Sequence, residues 1–301
     1  MKKLFYKLSY YIVIIFFIYF IFSIIMKHIM NKNKFYEIGK EKTVLILGDS
    51  HTAAAINDSL YANYFNLSKP AETYVFIYAK LKKILPLNPQ IKTVILACAE
   101  HNIQQRKENI LWDEGFMNEN IKINFNMLSS KELFLLFANN PAKSIASIFS
   151  LPKTQIQRYI QYASSDKPFL LQFGFGGYLG LRGQKNNWNE INWNETKKPL
   201  GAKESANYSK TSFVQVSYLH KIVDFCKSHN VKIVFLRTPE YKLYVKGNEQ
   251  EYFNLLQSQF SDIPLMDYAN ISLPDSFFYD FDHLNNNGAK VITNAIAASG
   301  Y

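Results

Sequence analysis

The sequence predicts an α/β fold, a three-layer α/β/α sandwich built on a mainly parallel sheet, and two observations carry that prediction. Short β-branched runs at 43–47 (TVLIL), 91–98 (IKTVILAC) and 231–236 (VKIVFL) are almost continuously apolar, as strands covered on both faces are. Between and after them, apolar residues recur at three- and four-residue steps, which marks one face of a helix. Strands alternating with helices of about a dozen residues imply parallel pairing with helices on both sides of the sheet. Ligands in such sheets bind outside the carboxyl ends of the strands, where the loops gather.

Along the chain, residues 8–26 (LSYYIVIIFFIYFIFSIIM) carry no charge and match the length of one transmembrane helix. We therefore read 1–27 as an amino-terminal membrane anchor. Lys2, Lys3 and Lys7 would suit a signal peptide, but the apolar run exceeds a usual h-region and no small-x-small cleavage site follows Met26. Lys27, Lys32 and Lys34 balance the charge on the far side, so the positive-inside rule is nearly silent. A short tail, one span and a following domain place that domain outside the cytoplasm, in a bacterial envelope. Residues 28–42 are polar and read as a juxtamembrane linker, and 43–301 as the folded domain.

Within the domain, 43–47 is a buried strand ending at Gly48, and 52–64 the helix after it. Tyr74, Ile77, Tyr78, Leu81 and Ile84 lie on one face of a helix over 71–85, and 91–98 is a second central strand. Leu219, Ile222, Val223 and Cys226 mark a helix, followed by a strand at 231–236, a helix at 249–260, a last strand at 264–268 and a closing helix at 287–298. Residues 104–210 interrupt this rhythm and read as an insertion, with helices near 130–138 and 141–149, a glycine-rich aromatic run at 173–180 and a Trp/Asn-rich stretch at 186–194. Segments of that length are usually lids or binding surfaces.

Composition bounds the function. Hydrophobic residues make up 48% and charged residues 19%, enough apolar content for a real core. The net charge of +10 raises nucleic-acid binding, but the lysines are mixed with Asp and Glu and no zinc-finger, RRM or basic-helix pattern accompanies them. No nucleic-acid partner is expected; a basic surface suits anionic lipid or glycan equally. Cys98 and Cys226 lie in apolar stretches and read as buried thiols.

Two short motifs carry chemistry. Gly48-Asp49-Ser50-His51 stands where a strand ends and a helix begins, which presents a serine at the carboxyl edge of the sheet with its own N–H at a positive helix terminus. The alternative is a plain N-cap. Near the carboxyl end, Asp280 and His283 are three apart, so in a turn the carboxylate reaches one imidazole nitrogen and leaves the other to face a nucleophile. The alternative there is a surface histidine among solvated acids.

Together the two blocks resemble the SGNH (GDSL-like) hydrolase superfamily, in which a GDS block follows the first strand and a D-x-x-H block precedes the last helix. The resemblance covers the domain outside the insertion. With the anchor, it extends to envelope O-acyltransferases and esterases of the DltD and AlgX/AlgJ type. It implies Ser50 as nucleophile, His283 as general base and Asp280 as its orienter, with Asp282 as runner-up. It also implies an oxyanion hole from the Ser50 N–H and Asn102, the latter in Ala97-Cys-Ala-Glu-His-Asn102 after the second strand. The family's second block uses a glycine N–H; the corresponding stretch, 66–72, has none, and Ser68 or Ala71 would have to serve.

Further candidates surround this core. His51 and His101 are read as site lining and not as metal ligands, since no third ligand stands at a recognisable spacing; no metal or cofactor is expected. Arg237, just past the strand at 231–236, is placed to meet an anionic substrate, or is an ordinary surface arginine. In the insertion, Tyr178, Trp188 and Trp193 with Asn186, Asn187 and Asn189 are of the types that stack on and hydrogen-bond to sugars, or pack a small core of their own. The expected activity is a serine esterase or O-acyltransferase acting on acyl groups, acetyl foremost, of a cell-envelope glycan. The alternatives are a lipid esterase or thioesterase of the same superfamily, and a non-catalytic anchored glycan-binding or assembly protein.

Overall fold

A computed structural model describes residues 2–30, 35–164, 169–172, 174–184, 210–242 and 248–301. The sheet has five strands, all parallel, in the order β2-β1-β3-β4-β5. They are β1 (Val44–Leu47), β2 (Tyr64–Asn66), β3 (Thr93–Ala97), β4 (Lys232–Arg237) and β5 (Leu265–Asp267). Leu45 stands against Val94, and Val94 against Ile233.

The period of two sorts the strand residues into layers. Leu45, Leu47, Phe65, Val94, Leu96, Ile233 and Phe235 face the larger core, which also takes in α3 (Tyr74–Ile84) and α9 (Phe213–Ser228). Val44, Ile46, Tyr64, Ile95 and Leu236 face the other side, against Ile292 and Ile296 of α11 (Asn286–Ala298). The three layers expected from the alternation are those observed.

Among the described residues, α4 (Glu100–Ile103) leads into the insertion, which holds α5 (Gln105–Trp112), α6 (Glu114–Asn124), α7 (Ser130–Asn139) and α8 (Pro141–Ala163). Its stem is closed by a bridge between Gln104 and Thr211 and by the Gln105 N–H donating to Lys210 O at 2.8 Å. The others are α1 (Lys2–Met30), α2 (Ser50–Ala55) and α10 (Glu249–Gln259).

Three elements differ from the sequence reading. The helix expected over 52–64 stops at Ala55, because Asn57 turns the chain by accepting from the Ser59 N–H and hydroxyl, and β2 follows as an edge strand. The helix at 141–149 runs on to Ala163 through Pro152. Residues 35–42 belong to the domain and not to a linker: Phe35 and Tyr36 are fully buried, and the Asn88 carboxamide accepts from the Ile38 N–H and donates to Tyr36 O. Among the described residues no helix is long and apolar enough to cross a membrane; several side chains of α1, at 16, 23 and 26 among them, lie outside the described set.

Candidate active site

The strand order doubles back at β1, which lies between β2 and β3, and its carboxyl end is where a crevice forms in such sheets. Gly48 ends β1 there for a steric reason. A Cβ at this position would lie 2.4 Å from the Ala97 Cβ and 2.6 Å from the Thr52 Oγ1, so only glycine lets the turn into α2 pass the end of β3. Ser50, half-buried, is the first residue of α2, where backbone N–H groups have no partner inside the helix.

Asp49 caps α2 and is the hub of the site. Its Oδ1 accepts from the His51 N–H at 3.2 Å, and its Oδ2 accepts from Asn102 Nδ2 at 2.8 Å and Lys107 Nζ at 2.8 Å, with His101 Nε2 at 3.0 Å. Burial alone would raise this carboxyl, but the charges of Lys107, His101 and His51 hold it well below the usual range. Burial likewise lowers His101, while Asp49 and Glu240 outweigh it and push the imidazole up to about 9. His51 and His101 stack with ring centroids 4.1 Å apart, and the buried Glu240 lies 3.8 Å from His51 Nε2 and 3.6 Å from His101 Nδ1.

At the other chain end, Asp280 Oδ1 accepts from the Asp282 N–H at 3.0 Å and the His283 N–H at 2.9 Å, and pairs with His283 Nδ1 at 2.8 Å. This three-residue turn fixes the ring, so the tautomer consistent with the pairing carries its lone pair on Nε2. Burial lowers His283, but the Asp280 hydrogen bond and the charges of Asp280, Asp282 and Asp49 raise it above its ordinary value. The His283 ring lies 5.3 Å from that of His51, next in the chain to Ser50. Its buried Nε2 has no hydrogen-bond partner among the described residues, the Ser50 hydroxyl included.

The other predicted residues divide. Asn102 is buried; its Oδ1 accepts from the Ala99 N–H and one amide hydrogen goes to Asp49. Ser68 is ruled out as a backbone donor because its N–H is spent on Asn66 Oδ1 at 2.9 Å. Ala71 has φ +60°, the left-handed backbone that glycine favours, in the turn closed by the Glu72 N–H on Lys69 O. Arg237 is neither a surface arginine nor an open cation: it is 1% exposed and its guanidinium is enclosed by carboxylates. It joins Glu100 at 3.1 Å, Asp267 at 3.2 Å and Glu249, tying α4, β5 and α10 together behind the site. Trp188, Trp193, Asn186, Asn187 and Asn189 lie outside the described residues.

Segment 174–184 of the insertion crosses the catalytic edge. Its Gly177 N–H donates to Ser68 O and its Leu179 N–H to Ala53 O, while Tyr178 Oη donates to Asn286 Oδ1 at 2.7 Å, three residues from His283. Sequence reading missed Lys107 and Glu240. Glu240 follows β4 at the carboxyl edge where loops gather, a positional signal; Lys107 had none, because only the fold of α5 brings it to Asp49. Asp49, His51 and His101 each offer a ligand atom within 4.8 Å of the others, a spacing a metal ion could use. The Lys107 ammonium already supplies the cation that Asp49 would offer to share, and would repel a second one. Cys98 and Cys226 are free, buried thiols, each pushed up to about 12 by burial.

Comparison with known proteins adds little beyond this geometry. A family profile matches residues 181–299, less than half of the chain but including Asp280 and His283. No curated protein matches. Among solved structures, the chain is similar to a Bacteroides fragilis protein provisionally named an acylhydrolase, at 12% identity and a TM-score of 0.39, covering 90% of this chain and 91% of that one. The class defined by fold alone is an α/β protein with a parallel five-stranded sheet.

Proposed function

We propose that the chain is a serine esterase or O-acyltransferase of the SGNH type, acting on acyl groups, acetyl foremost, of a cell-envelope glycan. The observation that carries this reading is the Asp280–His283 pair, oriented at 2.8 Å, with a buried Nε2 that has no hydrogen-bond partner among the described residues and a ring 5.3 Å from that of His51, next in the chain to Ser50. An orphaned buried nitrogen is costly in a fold and is at home where a substrate step supplies its proton.

In this reading Ser50 Oγ attacks the acyl carbonyl as His283 Nε2 takes its proton, and Asp280 stabilises the imidazolium through Nδ1–H. The Ser50 N–H and the second amide hydrogen of Asn102 receive the oxyanion. Collapse expels the alcohol, which takes its proton from His283; water or a sugar hydroxyl then attacks the acyl-serine with His283 again as base, and the second collapse breaks the Ser50 Oγ–acyl bond as His283 returns the proton to Oγ. A groove of about 480 Å³ is lined by Pro70, Phe116, Tyr178 and Leu179 together with Lys69 and Glu119; its aromatic rings suit stacking on a sugar, with the two charged groups for its hydroxyls. The anchor is part of the proposal: α1 holds the chain in the bilayer through 8–26, with the domain outside the cytoplasm. A fluorophosphonate probe should label the intact protein and not Ser50→Ala, at an unchanged melting temperature. Equal labelling of the two would remove Ser50 as nucleophile.

A further inference from the structure

Helix α8 is amphipathic the wrong way round for a protein in water. At about 100° per residue, Ile145, Phe149, Ile156, Tyr159 and Ile160 fall within roughly 100° of arc, and all five face outward. Ile160 is 61% exposed. The buried face holds Ser144, Ser147, Gln155 and Arg158 beside Leu151. These polar groups are satisfied by protein: Ser147 Oγ donates to Asn118 Oδ1 at 2.8 Å, and Gln155 Nε2 to Asn126 Oδ1 at 3.3 Å. Arg158 Nη1 donates to the carbonyls of Lys122 and Ile123 at the end of α6, at 3.1 and 2.9 Å. A helix with its hydrogen bonds turned inward and its apolar stripe turned outward is matched to an apolar solvent. The adjoining α7, which packs on α8, exposes a further large apolar side chain, Phe134, at 74%.

The position of the stripe identifies its occupant. Helix α8 packs against α1, whose Phe22 and Ile29 rest on the main core. Phe22 lies four residues inside the carboxyl end of the apolar run 8–26, about 6 Å along a helix axis at ~1.5 Å per residue. If α1 spans the bilayer, the domain meets it below the headgroup level, about the depth of an interfacial helix. On the outward side Lys153 of α8 and Lys131 of α7 are exposed, α8 itself holds no acid, and Lys143 pairs with Glu114 of α6. That charge suits anionic headgroups.

We propose that α7 and α8 form a second membrane contact, with α8 lying along the bilayer surface and its Ile145, Phe149, Ile156 and Ile160 in the acyl region. The inference rests on the reading of α1 as the anchor. The contact fixes the tilt of the domain, so the catalytic edge is held at one height above the lipid and does not swing on a tether.

The test uses the full chain in vesicles of equal phosphatidylcholine and phosphatidylglycerol, with an environment-sensitive fluorophore on Phe149→Cys, Ile156→Cys or, as a water-facing reference on α10, Asn254→Cys. The expected result is blue-shifted emission at 149 and 156, quenched by lipids spin-labelled near the headgroup, with neither effect at 254. Emission at 149 and 156 matching that at 254 overturns the proposal. A blue shift without lipid quenching also overturns it, because protein, such as a second copy of this chain, then covers the face. Carbonate extraction of the same vesicles separates the two readings: a chain that resists extraction with wet α8 labels keeps the anchor and loses only this inference, whereas an extracted chain loses the anchor.

Discussion

Two carboxylates stand close to the candidate base, and they differ in what they touch. Asp280 reaches His283 Nδ1, whereas the Asp282 side chain contributes to the imidazole only through its charge. His283 is raised above its ordinary value of 6.5, and a base works deprotonated, so kcat/KM on a small aryl acetate should rise with pH through a midpoint above that value. Asp280→Asn removes the principal raising influence; the midpoint should move to lower pH and the rate fall about a thousand- to ten-thousandfold. Asp282→Asn should cost about tenfold or less. The reverse ranking would make Asp282 the orienter. Lys107 offers a stability test at the same scale. Lys107→Met strands the buried Asp49 carboxylate with one cation fewer and should cost about 3–5 kcal/mol, read by denaturant unfolding. An unchanged unfolding midpoint would mean that the histidines and Asn102 hold Asp49 without Lys107.

The elements show why part of the site was legible in the sequence and part was not. Ser50, Asp280 and His283 could be found because each sits in a local pattern, a strand-turn-helix or a three-residue turn, whose geometry needs no distant partner. The burial of Arg237 was not legible because its place at the end of a strand says nothing of the Glu100, Asp267 and Glu249 carboxylates that enclose it. The three-residue β2 was hidden by its brevity, and the full length of α8 by a stripe that faces away from the core. The β1–α2 turn is a tight junction that can be probed directly. Gly48→Ala drives a methyl group into the Ala97 Cβ and Thr52 side chain, and should destabilise by about 1–3 kcal/mol or more. Ala97→Gly in the same chain should recover part of that loss, because it removes one of the two clashing groups. Full additivity of the two changes in a double-mutant cycle would show that the turn relieves the clash by moving elsewhere.

At the scale of the whole molecule, the boundary between anchor and domain decides how the protein can be handled. Reading the sequence placed the start of the domain at 43, since 28–42 looks polar, yet Phe35, Tyr36 and Ile38 are buried in the main core, and Phe35 packs on Tyr162 and Phe169 with centroids 4.8 and 5.2 Å away. Full burial of each such side chain is worth about 1.5–3 kcal/mol, so the three together rival the net stability of a domain. A chain lacking 1–34 should therefore fold and keep its fluorophosphonate reactivity, whereas one lacking 1–42 should unfold or melt far lower. The shorter truncation also strips α1 from α8 and leaves Ile145, Phe149, Ile156 and Ile160 facing water. It should self-associate in sedimentation at micromolar concentration and become monomeric in mild detergent. Full stability in the chain lacking 1–42 would show that Phe35 and Tyr36 merely fill a surface recess and that the domain begins at β1.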